Sequence, residues 1–374
     1  MSLYTVPKSD NSPMSCGYLV LEDGTVYKGE LFGKETEATG EVVFETGMDG
    51  YQEGLTDPSY RGEILVMTYP LVGNYGITED FYQSCAVHTR GLVVREYCRE
   101  PSPMYGGRTI DEFLKFYGVP GISGIDTRDL VIKLRTEGTI KGAIVREGAD
   151  IEATVKSLQK MPYPSESNLV AEVSCKEVSR MYTGHDITVG MIDCGAKAEI
   201  PKCLMERFNI VRFPYDTPAD VIIDSGVQGV LISNGPGDPA QKDIVATTQR
   251  TVSDLSTQMP MFGICYGSQI IARAMGATTY KMKFGHRGCN QPVKLEGRVY
   301  ITSQNHGFAV DEASLDGTGL IANQTNVNDG SVEGVCHRDL PIFTTQYHPE
   351  SAPGPNDTAF LFDRFAKMIK EAKQ

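Results

Sequence analysis

The 374-residue chain has no run approaching 18 consecutive apolar residues, so no membrane-spanning helix is expected. Met1 to Cys16 contains Lys8, Asp10 and two prolines, and it lacks the apolar core of a secretory signal. Residues 1–16 therefore read as a frayed leader. Paired cysteines are also missing. The nine cysteines are scattered, odd in number and without a CxxC spacing. That disfavours a disulfide framework, gives no metal-site spacing and points to a reducing cytoplasm. There is no cluster of Lys and Arg, and the formal net charge is -13. Neither nucleic acid nor an anionic membrane is expected as a partner. Internal repeats and low-complexity tracts are absent. What remains is an ordinary globular composition, 40% apolar and 22% charged, in a length that suits two domains.

Residues 17–148 are rich in strand and turn signals. The segment GYLVLEDGTVYKGELFG reads as two strands joined at Asp23-Gly24, a strong hairpin dipeptide. Two further strands flank the Gly/Asp/Pro-rich stretch that follows. IDEFLKFYG and DTRDLVIKLRTEG have helical spacing, with Gly118 and Gly138 where C-caps fall and Asp126 or Thr127 as an N-cap. This half is expected to be a small, β-rich α+β domain. Residues 149–186 are polar and less patterned, and are read as a linker.

From 187 to 374 strands alternate with helices. ITVGMIDCG, NIVRFPYD, QGVLISN and MPMFGI read as strands, and IFTTQY as a strand ending at Tyr347. This order predicts an α/β domain with a doubly wound, mostly parallel sheet, helices on both faces and ligand at the carboxyl ends of the strands. Pro201 lies in the first predicted helix and fits only near its start. Asn356 or Asp357 is expected to cap the final helix.

The sharpest local signal is Gly263-Ile264-Cys265-Tyr266-Gly267, between an apolar strand and a helix. This is the setting of a nucleophile elbow, in which flanking glycines permit a strained turn and the helix N-terminus favours a thiolate. A nucleophilic cysteine needs a base and a group that orients the base. His348 and Glu350 offer both, since residues two apart in extended chain face the same side. An acyl intermediate also needs an oxyanion hole. The N–H of Tyr266, just after the nucleophile, is one donor. The loop SNGPGDP, with Gly235 and Gly237 bare of side chains, can approach the same crevice. It is not a phosphate loop, because no GKS or GKT follows. His88, His185 and His337 read as packing or surface residues, and His286 and His306 as loop-positioning residues.

Taken together, FGICYGSQ, ISNGPGDP and QYHPE resemble the three signatures of class I (triad) glutamine amidotransferases, in the expected order. LEDGTVYKGELFG, GEVVFETGMDGYQEGLTDPSY, YPLVGNYG and GIDTRDL are similar to the N-terminal domain of carbamoyl-phosphate synthase small chains. So are KFGHRGCNQPV, SQNHGFAVD and HPESAPGPNDT. The resemblance implies a triad of Cys265, His348 and Glu350. It places Gly235, Gly237, Tyr266, Gln269, Asn305, Gly307 and Phe308 where glutamine is contacted, and Gly47 where many members carry a serine. Tyr266 replaces a usual leucine and Ser268 a usual histidine.

The resemblance further implies a glutaminase subunit that releases ammonia to a separate large subunit, in a heterodimer or a higher oligomer of heterodimers. That partner would form carbamoyl phosphate from bicarbonate and ATP for arginine and pyrimidine synthesis. ATP and Mg would sit on the large subunit, with no cofactor or metal on this chain. The N-terminal domain, which carries no triad residue, is the expected docking surface. The competing readings are a glutaminase-inactive scaffold, which an elbow serine would signal, and an unrelated cysteine hydrolase.

Overall fold

The computed structural model describes residues 15–372. The expected leader lies mostly outside the described residues, and Cys16 already opens the first strand.

Seven strands close into a barrel in the order Cys16–Leu21, Val26–Gly33, Pro120–Ser123, Gly91–Val93, Glu63–Met67, Ala38–Glu45, Ile140–Arg146. The first two form the antiparallel hairpin expected around Asp23-Gly24. Ala38–Glu45 and Glu63–Met67 pair in parallel, so the connection between them crosses over and carries the helix Tyr51–Thr56. The helix Ile110–Tyr117 has a full capping box from Thr109 and Glu112 and ends on Gly118 in the left-handed region. Asp126 caps the helix Thr127–Glu137 through the Asp129 N–H. Leu19, Leu21, Val42, Ile64, Val66, Val93 and Ile122 fill part of the barrel core.

The segment 149–186 holds more structure than its polar composition suggested. Its helix Ile151–Lys160 packs Leu158 against Val20, Ala143 and Val145 of the barrel. Its strand Ser179–Met181 then joins the edge of the second sheet, antiparallel to Asn209–Pro214.

That second sheet has ten strands. Its centre is parallel, in the order Asn209–Pro214, Thr188–Asp193, Val230–Ile232, Met261–Ile264, Ile342–Thr345. Helices cover both faces. Leu204, Phe362 and Phe365 pack on one side, and Ile222, Val252, Leu255, Ile270 and Ile271 on the other. The parallel part is confined to these five strands. Beyond Ile342–Thr345 the sheet continues antiparallel into the long hairpin Thr279–Leu295 and Arg298–Val310.

Two local expectations are corrected. The strand expected to end at Tyr347 ends at Thr345, and His348 makes only an isolated bridge to Ser303. The final helix spans Phe360–Glu371 from Ala359, with no side-chain cap. Asn356 serves it through its backbone carbonyl, which accepts from the Ala359 N–H and forms a turn before the helix begins. Pro201 falls where the sequence required it, inside the first turn of the short helix Glu199–Met205, where its missing N–H is harmless.

Candidate active site

The strand Met261–Ile264 runs into Cys265, which turns sharply into the helix Tyr266–Ala274. Cys265 has φ 52°, a left-handed conformation that a residue with a side chain adopts only under constraint. Three features impose it. The Cys265 N–H donates to Thr345 O at 2.8 Å, which ties the elbow to the neighbouring strand. A Cβ on Gly263 would lie 2.6 Å from Gly267 O, and one on Gly267 would lie 2.1 Å from Ile232 O. Only glycines allow the helix to descend so close to the sheet.

The thiol is buried, with Sγ 3.5 Å from Asn305 O and 3.7 Å from Gln346 Nε2. Beside it, His348 is held by its N–H to Ser303 O at 2.9 Å. His348 Nδ1 lies 2.6 Å from Glu350 Oε1. The two residues meet because the chain turns at Pro349, not because a strand continues. His348 Nε2, the nitrogen away from Glu350, is buried without a hydrogen-bond partner, and Cys265 is near enough to act on the charge of the imidazole. Burial opposes charge on the imidazole most strongly, but the Glu350 carboxylate and the Cys265 thiol together outweigh it and raise the His348 pKa well above the usual histidine range. Burial likewise opposes the Glu350 charge, yet His348 and Lys197 together hold that carboxyl below its usual range.

Lys197 is the residue the sequence reading missed. It is 2% exposed, and its Nζ is 3.2 Å from Glu350 Oε1 and donates to Ser351 O. The available signal was its place just beyond Asp193, the carboxyl end of a parallel strand. Gln346 was missed too. It accepts from Gln269 Nε2 at 3.0 Å while its own Nε2 faces the thiol.

A partly open cleft with about 50 Å³ of free volume lies over Cys265. It brings together Gly235, Gly237, Tyr266, Gln269, Asn305, Gly307 and Phe308, all proposed from sequence. Gly235 is required there, since a Cβ would meet Cys194 O at 2.3 Å. Gln269 Nε2 donates to Phe308 O at 2.8 Å, which fixes one wall. Tyr266 turns its ring into the core, so the N–H at the helix start is its contribution. Gly47 is not brought in. It does not line the cleft, and Glu45 Oε1 lies 3.0 Å from where its Cβ would stand. Ser268 also faces away, donating to Thr344 Oγ1 at 2.7 Å. The cleft is not built from the second domain alone, because Glu41, Ser59, Arg61, Glu63 and Thr139 of the barrel line it as well.

Among the described residues, His286, His306 and Glu333 come close enough to share a metal ion. The ring nitrogens of both histidines already have protein partners. His286 is bracketed by Asp329 at 2.8 Å and Glu333 at 3.3 Å. His306 is bracketed by Phe308 O at 2.8 Å and Gln304 Oε1 at 3.0 Å. Both histidines sit in the paired strands of the hairpin, opposite one another, and not in loops as their Gly-containing sequence setting suggested.

A buried Cys-His-Glu relay at a nucleophile elbow, on a doubly wound sheet, defines the class I glutamine amidotransferases, and residues 190–368 match that family's model. Residues 19–144 match the CPSase domain of the carbamoyl-phosphate synthase small chain. The chain is 48% identical over 356 residues to the carbamoyl phosphate synthase small chain of Archaeoglobus fulgidus, covering 94% of this chain and 98% of that one. It is 49% identical over 360 residues to the one from Methanopyrus kandleri, covering 94% and 99%. The chain therefore belongs to the carbamoyl-phosphate synthase small-chain family. A crystal structure of a glutamine amidotransferase from Thermotoga maritima matches 50% of this chain and 86% of its own, at 15% identity and a TM-score of 0.38.

Proposed function

We propose that this chain is the glutaminase subunit of a glutamine-dependent carbamoyl-phosphate synthase. The observation that carries the reading is the buried contact of His348 with Glu350 beside a constrained Cys265. His348 takes the thiol proton as Cys265 Sγ attacks the side-chain amide carbon of glutamine, and the oxygen that becomes negative is met by the N–H groups of Tyr266 and the Gly235 loop. As that intermediate collapses, the C–N bond breaks and His348 gives a proton to the departing ammonia. Water, deprotonated by His348, then attacks the thioester. Glutamate leaves and the thiol is restored.

The ammonia passes to a large subunit, which binds ATP and Mg and forms carbamoyl phosphate from bicarbonate for arginine and pyrimidine synthesis. The retained cysteine speaks against the inactive-scaffold reading. The test is glutamine-dependent ammonia release by the full chain, wild type against Cys265→Ser, with and without the large subunit. Release that needs Cys265 and rises with the partner is expected. Release untouched by the substitution, or none with the partner present, would overturn the reading.

A further inference from the structure

The barrel supplies no triad residue, yet one of its turns ends inside the site. Asp57 closes the helix Tyr51–Thr56 and opens the turn Pro58–Tyr60, where its Oδ1 accepts from the Ser59 N–H at 2.8 Å. Its Oδ2 accepts from Asn305 Nδ2 at 2.9 Å. Asn305 is the residue whose carbonyl lies 3.5 Å from Cys265 Sγ. The same turn grips a second segment. Asn234 Nδ2 donates to Ser59 Oγ at 2.9 Å and lies 3.4 Å from Asp57 Oδ1. Asn234 immediately precedes Gly235 of the oxyanion loop, and its Oδ1 accepts from the Lys197 N–H at 3.1 Å. Asp57 is 4% exposed and Asn234 is 0% exposed, so water cannot substitute for either partner.

We propose that Asp57 is a positioning residue of the glutaminase site. It fixes the two backbone segments that face the acyl group, one through Asn305 and one through Asn234. The assignment rests on the glutaminase reading above and adds to it. The second domain holds the reacting groups but depends on the barrel for their spacing. Any shift of the Asp57 turn against the sheet displaces the oxyanion loop and the thiol's neighbour together. A carboxylate suits the task because it accepts from several donors at once. In Asp57→Asn one of those acceptor oxygens becomes a donor facing another donor.

The test uses the full chain with its large subunit, with rates normalised to titrated reactive Cys265 thiol. Asp57→Asn is expected to lower kcat for ammonia release by at least about tenfold, the scale set by sub-ångström misplacement of reacting groups. Alkylation of Cys265 by iodoacetamide, which needs no oxyanion hole, is expected to stay within about threefold of wild type. Ser59→Ala, which removes only the Asn234 arm, is expected to shift kcat in the same direction by less. Ammonia release within twofold of wild type in Asp57→Asn overturns the proposal. A proportional fall in both reactions, or loss of titratable thiol, also overturns it and leaves Asp57 a purely structural residue. Wild-type chain that releases no ammonia with its partner overturns the glutaminase reading itself, and this assignment with it.

Discussion

Lys197 and Glu350 are buried together, and burying one charge without the other is costly. The carboxylate orients His348, and the ammonium keeps that carboxylate charged. Replacing Lys197 by methionine leaves Glu350 with only the imidazole to oppose burial, so its pKa rises. Ammonia release by Lys197→Met is expected to fall between about tenfold and a hundredfold, less than the loss of the base itself. Stability follows the same group. Glu350 has a depressed pKa in the folded chain, so it stabilises the fold at pH above the ordinary carboxylate value and ceases to as pH falls through its own. The melting temperature of Lys197→Met should therefore lie furthest below wild type near neutral pH, approach it as pH falls below the ordinary carboxylate value, and meet it only as pH falls through the folded Glu350 value of about 2. Melting curves taken from about pH 2 to 8 check this. The strand end just before it was the only local mark of Lys197. Its partner lies more than a hundred residues later, and one lysine after a strand looks like any other.

At the scale of elements, the elbow was legible because its causes are local. Two glycines flanking a cysteine, between an apolar run and a helical pattern, dictate a strained turn. The same closeness makes the elbow intolerant. Gly267→Ala would place a Cβ 2.1 Å from Ile232 O, and a backbone atom cannot swing aside as a side-chain tip can. We expect this substitution to cost about 2 kcal/mol or more. That corresponds to a melting temperature lower by several degrees, at about 2–4 °C per kcal/mol for a chain of this size. Thermal denaturation of the two proteins measures it. The relation of His348 to Glu350 was also legible, though for a different reason than geometry supplies. Extended chain would put both on one side, whereas the turn at Pro349 brings the two polar ends to 2.6 Å. The cap of the last helix was misread. Asn356 and Asp357 have the right side chains, but a turn intervenes and the helix starts at Phe360.

For the whole molecule, the decisive feature is the seam between barrel and sheet. Arg287 of the long hairpin reaches Glu63 of the barrel at 2.8 Å, and both are largely removed from water. Lys281 pairs with Glu41 at 2.7 Å along the same line. Thr139 N–H donates to Lys283 O at 2.9 Å, so backbone also crosses the seam. Burial raises the Glu63 carboxyl to about 7 even with Arg287 beside it. Arg287→Met should strand that carboxylate and destabilise the chain by about 3–5 kcal/mol, whereas the double variant Arg287→Met, Glu63→Leu should recover most of the loss. A double-mutant cycle by chemical denaturation decides it. Equal costs for single and double variants would mean that the pair holds nothing together.

The sequence by itself determined the two domain types and picked out Cys265, His348 and Glu350, which come together at the elbow, and seven of the eight proposed glutamine-contact positions, which line the cleft. These are written in short segments whose glycines, apolar runs and spacing constrain only their own neighbours. Tertiary structure alone decided the rest. It left Gly47 outside the cleft lining. It added Lys197, Gln346 and Asp57, because burial gives an isolated charge or amide a specific partner only once distant segments close around it. It also set the cleft between barrel and sheet, since the position of one rigid domain on another depends on ion pairs and backbone contacts that no short stretch of sequence contains.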